Sequence, residues 1–432
     1  MKAKPLLYLI FLVEILSAGC RTAKIIVTPN KEMKQANFTF PRTDTFLTRL
    51  LQAHPAYFDT LLKNNNQWQI QFIYTQIDRN RQNLPFFTNY YFNVDPNRYF
   101  YPASTVKLPV AVLALQRLNE LAVPGLDRNT TMITDSAFRG QTPVYNDPTA
   151  ADGRPSVAHY IKKILLVSDN EANNRLYEFL GQEYINHALH KMGYDSAQII
   201  HRLQVSMDEE QHRHTNPITF YDTAGNILYR QPLVKSKLIY QERKTFLGKG
   251  YYSEGKLINQ PFDFSRKNRL TLIDLHSILQ TIIFPGAVDK SQHFNLKEDD
   301  YAFLYKYMSL FPRESLFPQY AQYDDAYVKF LLLGGSGAIY NPEIRIYNKV
   351  GDAYGFLIDA AYIVDFRNNI EFFLSAVINC NPKGIYNSDD YEYEKVGFPF
   401  MKHLGEVIYQ YELNRQRKNY PDLSRFKATY AE

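Results

Sequence analysis

A chain of 432 residues with 45% hydrophobic and 22% charged content is globular, with enough material for one large or two ordinary cores, and is not a disordered polymer. Its net charge of +5 is spread along the chain with no Lys/Arg cluster interleaved with aromatics, which excludes a nucleic-acid footprint. Two cysteines leave at most one disulfide, so stability must come from packing.

In chain order, Lys2 and Lys4, an apolar run from Leu6 to Leu16 interrupted by Glu14, and small residues read as a secretory leader over 1–19. Ser17-Ala18-Gly19-Cys20 is similar to a bacterial lipobox, in which Cys20 would be lipidated. The run is shorter than the ~20 residues a membrane span needs. This implies a lipid-anchored protein of the cell envelope, on the periplasmic or outer face of a bacterial membrane, with residues 20–40 as a tether. The segment Thr43 to Lys63 has helical apolar spacing with a kink at Pro55. Gln67 to Ile77 and Phe86 to Val94 alternate as two strands.

Ser104-Thr105-Val106-Lys107 puts a hydroxyl and an amine three residues apart at a helix start, followed by the apolar stripe Val106, Val110, Leu113, Leu118. That is the arrangement of an activated serine at the positive end of a helix, though a Ser and a Lys on a solvated helix read the same way. Ser168-Asp169-Asn170 follows the apolar run Ile161 to Val167; Ser168 to Glu171 also fits a capping box opening a helix from Glu171 to Leu180, closed by Gly181. Lys349-Val350-Gly351 ends the strand-like Ile344 to Tyr347. It precedes two long apolar strands, Tyr354 to Phe366 and Ile370 to Ile378, joined by Arg367-Asn368-Asn369.

In that order the three segments resemble the S-x-x-K, S-D-N and K-T-G signatures of the class A β-lactamases and related penicillin-recognising serine enzymes. The resemblance implies an α+β fold. A five-stranded antiparallel sheet, split between the chain ends and covered by helices on both faces, joins a mainly helical subdomain within one domain over 41–415. It implies that Ser104 becomes acylated, that Lys107 is the base, that Ser168 relays the proton and that Asn170 orients Lys107 and substrate. The backbone N–H groups of Ser104 and Asp352 would form the oxyanion hole. Lys349, Val350 and Gly351 would bind substrate, Lys349 through its charge.

Two departures matter. Arg202 stands where the family carries a loop arginine, and two residues on it has Gln204 where a glutamate would activate the deacylating water. Glutamine cannot take a proton, so acylation without fast release is expected unless Asp208, Glu209 or Glu210 substitutes. Val350 replaces the usual Thr or Ser and removes a hydroxyl for the β-lactam carboxylate. The expected activity is therefore a serine hydrolase of β-lactams or cell-wall peptide amides, with a D-alanyl-D-alanine peptidase or esterase and a non-hydrolytic cell-wall-binding protein as alternatives.

Residues 204–269 read as an enlarged active-site loop, with a hairpin from Ile218 to Tyr229 on a Gly-Asn turn. Thr271 to Phe284, Lys297 to Phe311 and Val396 to Arg415 read as helices, and 416–432 as a mobile tail. Cys380 lies in or next to a core strand. His201, His212 and His214 lack a ligand pattern and read as solvent-facing, so no metal and no cofactor is expected. Asp389 to Glu394 reads as a solvated approach to a helix, and most of the 34 tyrosines as core. A monomer tethered to its membrane by lipid, acting on a small-molecule or cell-wall peptide substrate, completes the expectation.

Overall fold

The computed structural model describes residues 42–338 and 341–428. The expected leader, the tether and Cys20 lie outside the described residues, as do residues 429–432. Two helices come first, α1 (Thr45–Gln52) and α2 (Pro55–Lys63), then a single turn, α3 (Asn65–Trp68). The expected kinked helix is thus two helices, because Pro55, with no N–H to lose, opens α2 at its first position. Strands β1 (Gln71–Arg79) and β2 (Pro85–Phe92) then form an antiparallel pair, Phe72 facing Phe92.

The helical block contains α4 (Lys107–Leu121), the short β3 (Thr131–Thr134), α5 (Val157–Val167), α6 (Asn170–Lys191) and α7 (Glu209–Arg213). Gly181 breaks α6 with φ 72 and ψ 159, where the sequence expectation ended its helix, but a second helical stretch continues beyond it. Residues 204–269 are more ordered than a loop. β4 (Ile218–Tyr221) and β5 (Ile227–Gln231) form the expected hairpin and extend β3 into a three-stranded sheet. Its connection is the five residues Asp222–Asn226 rather than a two-residue Gly-Asn turn, held by the Asp222 carboxylate accepting from the N–H groups of Ala224 and Asn226. Four short strands follow, β6 (Phe246–Leu247), β7 (Gly250–Ser253), β8 (Lys256–Ile258) and β9 (Phe262–Asp263). A paired backbone bridge between Gln198 and Arg269, 2.9 and 2.8 Å, ties the insertion at its base.

Helices α8 (Leu272–Ile283) and α9 (Glu298–Ser309) lead to β10 (Ile344–Ala353), β11 (Phe356–Asp365) and β12 (Ile370–Asn379). The chain closes with β13 (Ile385–Tyr386) and α10 (Phe398–Asn414). The sheet order is β10-β11-β12-β1-β2, antiparallel throughout, so both ends of the chain build one sheet. Every residue of β11 and β12 is buried, because each face has its own helical layer. Phe72, Tyr74, Leu357 and Phe372 pack towards residues of α1, α2 and α10, while Ile73, Ile358, Tyr362 and Phe373 pack towards α4, α8 and α9. Where α8 crosses the sheet, buried His276 bridges Thr75 and Ser375 at 2.8 Å each, and burial pushes its pKa down to about 3.

The segment after α10 is packed, not mobile, as far as residue 428. Leu423 and Phe426 are 4% and 2% exposed, and the Tyr347 hydroxyl donates to the Phe426 carbonyl at 2.5 Å. Two apolar side chains in an otherwise polar tail suffice to dock it under the aromatic cluster of Tyr305, Tyr347 and Tyr362.

Candidate active site

Ser104 lies in a 3-10 turn, Ala103–Val106, that feeds α4 at Lys107. Side chains three apart share a face in such a turn, so the sequence spacing sets Lys107 on the face of Ser104. Ala103 just before it takes φ 48, a left-handed conformation rare for a residue with a Cβ, and Thr105 clamps the turn by donating its hydroxyl and its N–H to the Pro102 carbonyl at 2.6 and 3.0 Å. Strand β10 passes directly against this turn. A Cβ on Gly351 would come within 2.9 Å of both the Pro102 oxygen and the Ser104 nitrogen, so only glycine permits the approach that brings Asp352 alongside Ser104.

Ser168 is where the motifs meet. Lys107 Nζ donates to its carbonyl oxygen and, at 3.2 Å, to its Oγ; Lys349 Nζ donates to the same Oγ at 2.8 Å and to the Val350 carbonyl at 2.9 Å. Two lone pairs of Oγ thus face two lysine amines, and its hydrogen is left for a third partner. The capping reading of Ser168 is corrected: Ser168 ends α5 at φ 59, and the residue that caps α6 is Asp169, whose carboxylate accepts from Ala172 N–H at 2.8 Å. Lys107 is 0% exposed. Burial and then the Lys349 ammonium hold its pKa well below the usual lysine range, with Asp169 and Asp352 offsetting part of the effect. Burial likewise pushes Lys349 down to about 7.

Asn170 opens α6 and donates to Gln204 Oε1 at 2.5 Å. Gln204 is exposed, at φ 52, on a loop pinned from beneath. Asn174 exchanges two hydrogen bonds with Leu203, and Arg202, 2% exposed, pairs with Glu178 at 2.8 Å while donating to the Gln211 and His214 carbonyls. Asp208 caps α7 and pairs with Arg139 at 2.6 Å; Glu209 pairs with Arg213 at 2.9 Å and Glu210 with Lys235 at 2.6 Å. All three carboxylates therefore already have cationic partners.

Other expectations change. The Val350 side chain is 2% exposed and packed into the core below the sheet, so only its carbonyl takes part in the site. The histidines are less exposed than expected: His201 and His212 are half-buried and His214 is buried. His214 is buried against Phe138 with ring centroids 3.8 Å apart, and burial pushes His201 down to about 4 and His212 to about 3. No group of His, Cys, Asp and Glu among the described residues could hold a metal ion.

Behind Lys349 lies a buried network that the sequence did not reveal. Lys329, 0% exposed, donates to the Met308 and Ile346 carbonyls and to Asn348 Oδ1 at 2.6, 2.8 and 2.7 Å. Asp359 accepts from Asn348 Nδ2 and from the N–H groups of Phe330 and Leu331. The one available signal was an Asp inside a strand of ten buried residues.

The beta-lactamase enzyme family model matches residues 56–411, a span that contains all three converging segments. The chain belongs to the beta-lactamase enzyme family. No curated protein matches the sequence. Among solved structures, the chain is similar to the β-lactamase of Sphaerobacter thermophilus, at 13% identity over 83% of this chain and 97% of that one, with a TM-score of 0.42. It is likewise similar to the β-lactamase of Desulfarculus baarsii, at 14% identity over 84% and 96%, with a TM-score of 0.45.

Proposed function

We propose that the protein is a serine acyl-enzyme, acting on β-lactams or on the related amide bonds of cell-wall peptides, that acylates readily and releases its acyl group slowly. The observation that carries this reading is the meeting of Lys107 and Lys349 on the Ser168 hydroxyl, with β10 at Gly351 packed against the Ser104 backbone nitrogen. In the first step Ser104 Oγ bonds to the carbonyl carbon and its proton passes to neutral Lys107. The C–N bond then breaks, the leaving nitrogen takes the Ser168 hydroxyl proton, and Lys107 returns its proton to Ser168. The backbone N–H groups of Ser104 and Asp352 would hold the oxyanion, a contribution of roughly 3–4 kcal/mol per donor in comparable sites.

Slow release follows from Gln204: an amide cannot accept a proton, and its oxygen already receives the Asn170 N–H. That bond favours a penicillin-binding peptidase or esterase as the second reading, since such an enzyme is trapped by penicillin rather than destroying it. Incubation with a fluorescent penicillin followed by intact-mass measurement tests both. A persistent adduct on Ser104, absent in Ser104→Ala, is expected; no adduct with any β-lactam would leave a binding protein and overturn the acyl-enzyme. The lipobox at Cys20 supports a lipid anchor in the cell envelope, and Cys20→Ser is expected to move the protein from the membrane to the soluble fraction.

A further inference from the structure

A cavity of about 330 Å³ opens beside the site, between the Gln204 loop and the later part of the insertion around Tyr240 and Asp263 to Lys267. Tyr101, three residues before Ser104, and Tyr354, just past the end of β10, meet edge to face at 5.0 Å on its wall. Gln204 lines it too, and ties it to Asn170. Its charges are unequal. Arg202 is committed to Glu178, and Glu209 to Arg213. His201 is neutral by its bonding: Nδ1–H donates to the Arg202 carbonyl at 2.7 Å while Nε2 accepts from Asn268 N–H at 3.1 Å. His212 Nδ1 accepts from Arg202 N–H. There remain Lys267 and Arg266 against one carboxylate, Asp263, which also accepts from Ser265 N–H. Lys267 is half-buried over the Phe262 ring at 5.9 Å and Arg266 lies over Tyr240 at 5.5 Å; neither side chain has a hydrogen-bond or ion-pair partner among the described residues.

Substrate direction follows from β10. The leaving nitrogen must reach Ser168, at the Lys349 end of the strand; the acyl half then runs towards Tyr354 and the cavity. Past Lys349 and the oxyanion hole, the strand offers a further carboxylate little, because Val350 has no hydroxyl and the exposed residue Asp352 stands next to Gly351. Building on the acyl-enzyme reading, we infer that the cavity is a subsite for a carboxylate carried on the acyl half of the substrate, held by Lys267 and Arg266.

The test compares two penicillins that differ only by a side-chain carboxylate, benzylpenicillin and carbenicillin, through their rates of Ser104 acylation read by intact mass. The wild type is expected to favour carbenicillin. In Lys267→Met that preference is expected to fall by about tenfold, the scale of one charge-assisted contact, and further in Lys267→Met combined with Arg266→Gln. A preference unchanged in variants whose thermal melts match the wild type would overturn the subsite. If neither penicillin acylates the wild type, the acyl-enzyme reading fails, and the subsite is read separately by titrating phenylmalonate, with phenylacetate as control, into Ser104→Ala followed by NMR. Selective binding of phenylmalonate that is lost in Lys267→Met supports the subsite; equal or no binding of the two acids rejects it.

Discussion

Replacing Lys349 with Met isolates one charge from the machinery around Ser104. Lys107 and Lys349 reach the same Ser168 oxygen from 3.2 and 2.8 Å, so their nitrogens are no more than about 6 Å apart. At an effective dielectric of about 20, two unit charges at that separation repel by roughly 2.8 kcal/mol, or about two pH units. Lys107 takes the Ser104 proton only when neutral, and its pKa is held down by burial first and by Lys349 second. Removing the Lys349 charge lets Lys107 keep its proton to higher pH. The acid limb of the acylation rate should therefore move upwards by about 2 units, with the profiles drawing together in alkali. Lys349→Arg, which keeps a charge, should leave the limb low. The assay is the rate constant for adduct formation with a fluorescent penicillin across the pH range. A uniform drop at every pH, with the limb unmoved, would mean that Lys349 only binds substrate and that the electrostatic account of Lys107 is wrong.

Gln204→Glu supplies the missing base, and hydrolysis of the penicillin adduct should accelerate by about 10²-fold, followed by loss of the adduct mass; an equally persistent adduct would show that this position plays no part in release. Gly351→Ala puts a methyl group 2.9 Å from the Pro102 oxygen and Ser104 nitrogen and 3.0 Å from the Thr105 nitrogen. Because all three are backbone atoms, the strand must retreat: acylation should fall at least ~tenfold and urea stability by ~1–3 kcal/mol, and a variant acylating at the parental rate would refute the close approach. Lys329→Met orphans three acceptors and leaves Asp359 without its cation, so a stability loss of ~3 kcal/mol is expected, measured as a shift in urea midpoint. Burial pushes Lys329 down to about 7 from 10.5. The unfolded chain therefore binds more protons between those values, and wild-type stability should rise with pH across that window; a flat profile would contradict the lowering of this lysine by burial.

The sheet and the three motif segments were legible because each rests on local pattern. The apolar strands Phe356–Asp365 and Ile370–Asn379 declare themselves by length and composition, and Ser104, Ser168 and Lys349 by their neighbours. What was not legible depends on contacts distant in sequence. Ser168 to Glu171 satisfies a capping rule, but the Ser168 hydroxyl is claimed by lysines 61 and 181 residues away, so the cap passes to Asp169. His201 and His212 look like loop residues until the insertion folds over them. Val350 sits in a binding motif, yet strand alternation sends its side chain into the core. Lys329 is an unremarkable Lys, and Asp359 only an Asp in an apolar strand, until the fold places Asn348 between them.

Strand β12, at the centre of the sheet, reaches one neighbour through Gln71↔Val377 and the other through Ile358↔Val377. During synthesis the amino-terminal hairpin must therefore wait for most of the polypeptide to be made before its open edge finds a mate. Until then Phe72 and Tyr74 stay without their final cover, and the nucleophile turn without the strand that props it. Assembly of the catalytic centre is thus among the last events in the birth of the molecule, and a nascent chain stalled before residue 379 would hold every helix of the Ser104 half and no working enzyme.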